Sequence, residues 1–120
     1  MKKQVVSIVL VSLLVACGTA KKSTEVKVES GLTEADVARV QSKFPGYTLS
    51  DLTEGKKLFD ANCALCHDLP KPTSMSEDGW RKIVPPMVSK ANHKNGNKLD
   101  KAAEERILKY LITMGPELKK

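Results

Sequence analysis

The strongest periodicity in the chain lies near its C-terminus, where Ala103, Ile107, Tyr110, Leu111 and Met114 recur at intervals of three and four. That spacing gathers them on one face of a helix. Asp100 is placed to cap this helix, Glu104 and Glu105 set negative charge in its early turns, and Gly115-Pro116 ends it. A second helix reads from Thr33 as N-cap, with Glu34 and Asp36 in the first turn and a stripe of Val37, Val40 and Phe44 before Pro45-Gly46 stops it. Ser50 or Asp51 is expected to open the next, with Leu52, Gly55, Leu58 and Phe59 on one face. A short helix is expected around Trp80, carrying Ile83, Val84 and Met87, with Pro85-Pro86 tightening or breaking it. No window alternates apolar and polar positions for long enough to make a strand. The expected fold class is all-α.

The N-terminal segment follows a different pattern. Lys2 and Lys3 precede residues 5–15, eleven positions of which nine are apolar and two are serine. A bilayer span takes roughly 20 apolar residues. This shorter run suits the hydrophobic region of an export signal. It ends in Leu14-Val15-Ala16-Cys17, which resembles the lipobox of bacterial lipoproteins. The resemblance implies cleavage before Cys17 and a diacylglyceryl group on its thiol, where the plainer alternative is an ordinary signal peptide with an incidental cysteine. The expected organisation is a signal peptide at 1–16, a polar lipid-anchored tether at 17–31 and a folded domain at 32–120. Gly18 after the cysteine resembles the outer-membrane sorting pattern of enteric bacteria. The expected location is therefore the cell envelope, facing the periplasm, in the outer membrane of a Gram-negative bacterium.

Composition adds a constraint. The chain has 120 residues and only 4% aromatic residues, which makes for a thin core. Domains this small often need a disulfide, a metal or a cofactor as a staple. The length excludes a multidomain enzyme, a polytopic membrane protein and a large doubly wound sheet.

The staple is expected at Cys63-Ala64-Leu65-Cys66-His67. Two cysteines three apart at a helix end point to nearly the same place, and a histidine follows at once. This spacing lets both thiols form thioethers to the vinyl groups of one haem while His67 ligates the iron. His67 then needs its other ring nitrogen held by a carbonyl, from a loop that Pro70 or Pro72 would shape. Two other readings stand beside it. A CxxC can be a thiol redox pair, although that motif opens a helix after a strand and no strand precedes it here. It can also be half of a zinc site, which His93 would complete poorly. With one cysteine assigned to lipid and two to haem, none is left for a disulfide.

At this point the chain resembles the c-type cytochromes, in particular short single-haem, class I-like domains, over roughly residues 49–114. Gly55 and Phe59 match the family's first-helix pattern, in which a glycine lets the terminal helices cross closely, and Tyr110 and Leu111 match the residues that meet it. Trp80 followed by Met87 resembles the distal segment of a subset with a compact Trp-x-x-Ile/Val-x-x-x-Met pattern. The resemblance implies a small helical domain wrapped around one covalently attached haem c. Residues 32–47 fall outside the common core and have no role assigned beyond packing or spacing.

Four side chains are candidates for the sixth position: Met75, Met87, His93 and Met114. Met114 belongs to the apolar stripe of the last helix, and Met75 lies only eight residues beyond His67 in a loop that would have to fold sharply back. Met87 follows the stiff Pro85-Pro86 step and precedes a polar link to the last helix, the usual order of parts in the family. It is the favoured ligand and His93 the next. Met87 has the ordinary alternative of filling core space. With His67 and Met87 both bound there is no open position for a small-molecule substrate, which makes an electron carrier and not an enzyme.

Charge bears on partners. The net charge of +6 falls to +4 once Lys2 and Lys3 leave with the signal. Lys71, Arg81, Lys82, Lys90, Lys94, Lys98 and Lys101 face only Glu77, Asp78 and Asp100 in the same stretch. A basic rim of this kind would steer an acidic redox partner, where the plain alternative is a solvated surface. Nucleic acid is not an expected partner. The expected function is a membrane-tethered monohaem cytochrome c relaying single electrons in the cell envelope. A haem-based sensor with a weak or absent sixth ligand and a haem-free thiol-pair lipoprotein are the alternatives.

Overall fold

A computed structural model describes residues 31–96 and 98–116. The signal segment, Cys17 and all of the tether except Gly31 lie outside the described residues. Within them the chain is all-helical, with four α-helices and no strand: α1 Glu34–Val40, α2 Leu49–Cys63, α3 Glu77–Asn95 and α4 Lys101–Thr113, with a 3-10 turn at Pro72–Ser74 before α3. None of these helices is long and apolar enough to cross a membrane.

Each helix starts where a short polar side chain satisfies its first free N–H groups. Thr33 and Asp36 form a reciprocal capping box on α1, as expected, with the Asp36 carboxylate accepting from Thr33 N at 2.9 Å. The N-cap of α2 is Thr48, not Ser50 or Asp51. Asp51 instead sits three residues in and reaches back to Thr48 N, which donates at 3.0 Å, so the helix opens three residues earlier than its acidic residue alone implies. Asp100 caps α4 through Ala103 N at 2.8 Å.

The helix around Trp80 is 19 residues long rather than short, and it runs through Pro85 and Pro86. Proline's fixed φ is helical, so the cost falls on hydrogen bonds. The carbonyls of Arg81 and Lys82 lose their donors four residues on. Both of those residues are exposed, where water serves instead. Packing secures both halves, with Trp80 and Val84 buried before the prolines and Val88 and Ala91 buried after them. Gly96, at φ 66°, then ends the helix in the left-handed region.

The core is built on α4. It buries Ile107, Tyr110 and Leu111 against Leu52 and Phe59 of α2 and against the buried stripe of α3. The Phe59 and Tyr110 rings meet at 5.6 Å between centroids. α3 packs mainly on α4 and only marginally on α2. Residues 32–47 contribute Leu32, Val37 and Tyr47 to the same core. Residues 32–47 also tie down two helix ends: Arg39 of α1 donates to the Thr113 carbonyl at 3.2 Å, and Lys43, in the turn after α1, pairs with Glu77.

Candidate functional site

The five-residue motif sits where α2 ends. Cys63 is the last residue of the helix, half-buried against the core, while Cys66 and His67 follow on an exposed turn. The crossing of α2 over α4 sets its position. A β-carbon on Gly55 would collide with the Arg106 carbonyl and lie 2.9 Å from Tyr110 Cβ, so only glycine permits this approach.

Both thiols are free. Burial pushes Cys63 up to about 11 from 9.0, and the neighbouring Cys66 and Asp60 add to the rise. The carbonyl end of a helix also disfavours a thiolate. A reactive redox cysteine needs the opposite setting, a helix N-terminus or a nearby cation. Among the described residues no three His, Cys, Asp or Glu side chains converge as a metal-binding set.

His67 Nδ1 lies 2.7 Å from the Asp68 carbonyl. A carbonyl only accepts, so Nδ1 is the donor in this contact, and in the neutral ring Nε2 is the nitrogen left with a lone pair. The carbonyl comes from the adjacent residue and not from the proline loop, where the Pro72 carbonyl accepts the Trp80 indole N–H at 2.9 Å.

The other candidates lie on α3 and α4. Met87 is half-buried on α3, one turn beyond Ile83. Met75 packs beside Gly79 at the start of the same helix, His93 is exposed in its last turn, and Met114 is partly buried against the core at the end of α4. The structure thus holds Cys63, Cys66 and His67 together and places Met87 on a separate element. Asn95 at the end of α3 reaches the motif, its side-chain amide donating to Cys66 Sγ at 3.9 Å. No sequence motif marks Asn95. Its one legible signal is Gly96 beside it, a helix-stop residue.

Among the described residues, the large apolar side chains left exposed are Leu65 within the motif, Met75 and Ile83. Two free thiols, a histidine with Nε2 available and exposed apolar surface on the motif and on α3 form a donor set that fits one haem attached through thioethers. Charge is paired unevenly along the chain. Lys43, Lys101 and Lys109 pair with Glu77, Glu104 and Glu105. Lys71, Lys82, Lys90, Lys94 and Lys98 have no ion pair among the described residues. Comparisons with protein-family models, with curated proteins and with solved structures find no match to this chain.

Proposed function

We propose that this protein is a membrane-tethered monohaem c-type cytochrome that relays single electrons between redox partners in the cell envelope. The observation that carries this reading is the position of Cys63-Ala64-Leu65-Cys66-His67 at the C-terminal end of α2, the helix that crosses α4 at Gly55 and Tyr110. The motif alone recurs by chance. Its attachment to a closely crossed helix pair, with His67 already oriented by a carbonyl, supports the haem reading over a thiol-exchange site.

Each residue has a distinct task in this reading. Cys63 and Cys66 would hold the haem covalently as thioethers, an attachment that needs no leaving group. His67 would present Nε2 to the iron, with its ring held in place by the bond to the Asp68 carbonyl. Met87 would supply a soft thioether ligand to the iron. When bound, the haem supplies a one-electron couple, shifted upward by the methionine relative to a bis-histidine site. Lys71, Lys82, Lys90, Lys94 and Lys98, without an ion pair among the described residues, would steer an acidic partner. Lipid on Cys17 holds the domain at the membrane, with residues 18–31 as its leash.

The test is an absorption spectrum of the soluble domain co-expressed with haem-maturation machinery, with haem retention checked after denaturation. Retained haem with the weak far-red band of an iron–methionine bond is the expected result. Retained haem without that band turns the reading to a sensor with an open or His93-filled site. A haem-free product overturns it. Cys17→Ser in the full-length chain should release the protein from the membrane fraction.

A further inference from the structure

α3 leans on α4 along its whole buried stripe but meets α2 only marginally. If α3 carries an axial ligand and the end of α2 carries the attachment site, something must set the distance between them. Apolar packing sets α3 against α4, but the contacts between these two helices do not include the motif.

The contact between Asn95 and Cys66 spans 29 positions of sequence and joins these two parts. Its α3 end is held firmly. Gly96, in the left-handed region, stops the helix at Asn95. One turn earlier, Asn92 clamps the connection to α4: its amide donates to the Leu99 carbonyl at 2.9 Å, and its carbonyl accepts from Leu99 N at 2.9 Å. The Cys66 end suits the proposed chemistry. Sulfur is a weak acceptor both as a thiol and as a thioether. An amide donor can therefore hold Cys66 Sγ before and after the cysteine is alkylated.

We propose that Asn95 is a positioning residue: its side-chain amide holds the Cys66 sulfur to the C-terminal end of α3 and so fixes the helix bearing Met87 relative to the attachment motif. This rests on the haem reading of the motif and on Met87 as the second axial ligand. Asn95 touches neither iron nor porphyrin in this role. It acts through Cys66 and through α3.

Asn95→Asp keeps the size of the side chain and removes the N–H donor, while Asn95→Gln keeps the donor on a longer arm. In the haem-loaded protein, Asn95→Asp should leave the covalent mass unchanged but raise the fraction of ferrous protein that binds carbon monoxide several-fold and lower the reduction potential. Asn95→Gln should restore part of both. A general loss of stability would move the melting temperature without this pattern of rescue. Equal carbon monoxide binding and equal potential in the wild type and Asn95→Asp overturn the proposal. A second measurement, on the haem-free chain, separates this outcome from a failure of the haem reading. The side-chain amide resonances of Asn95 should shift on Cys66→Ala while those of Asn92 stay in place. If the Asn95 pair does not move, the contact is not made in solution and the proposal falls even where haem is bound.

Discussion

Gly55 of α2 lies against the backbone carbonyl of Arg106 on α4, with no space between them for a β-carbon. The contact is backbone on backbone, so no side-chain rotation can relieve it. Gly55→Ala gains up to about 1 kcal/mol in helix propensity. It must also push α4 away from α2, and overpacking of this kind costs about 1–3 kcal/mol. The net expectation is a destabilised domain, seen as a lower denaturation midpoint at unchanged slope. An unchanged or raised midpoint would show that the two helices can separate freely at residue 55.

Trp80 separates packing from hydrogen bonding. It is 1% exposed, and its indole N–H holds the Pro72 carbonyl. Trp80→Phe retains much of the ring volume but strands that carbonyl, a loss of about 1–3 kcal/mol. Trp80→Ala opens a cavity as well and should cost about 3–5 kcal/mol. Comparable losses for the two variants would mean that the bond to the 3-10 turn, and not the ring, anchors α3.

Tyr47 makes the fold sensitive to alkali. Its hydroxyl is buried without a hydrogen-bond partner. Thr113 stands beside it, but the Thr113 hydroxyl donates to the Lys109 carbonyl at 2.7 Å. Burial pushes the Tyr47 phenol up to about 12 from 10.0; the adjacent Thr113 hydroxyl lowers it somewhat and Asp51 raises it. The folded state favours the protonated form, so this contribution to stability is complete below pH 10.0 and is lost as pH rises towards about 12. Tyr47→Phe should be nearly neutral or stabilising at pH 7, since the hydroxyl it removes is unsatisfied. It should also flatten the loss of stability above pH 10. The comparison belongs in a Cys63→Ser background, because the buried Cys63 thiol, raised to about 11, titrates in the same range. Tyr110, raised chiefly by its own burial, leaves a residual slope. An alkaline slope identical with and without the Tyr47 hydroxyl would refute the assignment.

The parts of the fold that were legible in the sequence are those that local chemistry dictates. The α4 stripe, its Asp100 cap and the Thr33–Asp36 start of α1 follow from period and capping alone. The Gly55–Tyr110 crossing was legible through the family resemblance. The length of α3 was not, because Pro85-Pro86 reads as a break and only tertiary packing on both sides carries the helix through. The carbonyl for His67 was expected from a proline loop, but the nearest backbone oxygen, that of Asp68, takes the bond. Asn92 and Asn95 were invisible for a more general reason. A lone asparagine has no sequence period, and its partners, Leu99 and Cys66, are defined only once the helices are placed. The candidate site therefore divides in the same way. Cys63, Cys66 and His67 are adjacent in sequence and need no fold to come together, whereas Met87 depends on how α3 is set.

Residues 32–47 provide the last prediction, because two kinds of contact can be weighed in one segment. Val37 of α1 is 3% exposed in the core, whereas the Lys43–Glu77 pair joins the turn after α1 to α3 at the surface. Val37→Ala removes two buried carbon groups and leaves a small void, an expected loss of about 2 kcal/mol. Lys43→Ala removes an ion pair open to solvent and should cost under about 1 kcal/mol. The pair still leaves a trace in pH. Hydrogen bonding to Lys43 holds the Glu77 carboxyl below its usual 4.5 against the opposing cost of desolvation, with Arg81 adding to the lowering. Its contribution is therefore present above that value and is lost as pH falls through the lowered one. Lys43→Ala should accordingly weaken the acid-side slope while barely changing stability at pH 7, and Val37→Ala should do the reverse. If Lys43→Ala proves the more costly at pH 7, this segment is held by its charges and not by its apolar face, and the place of residues 32–47 in the core would have to be reassigned.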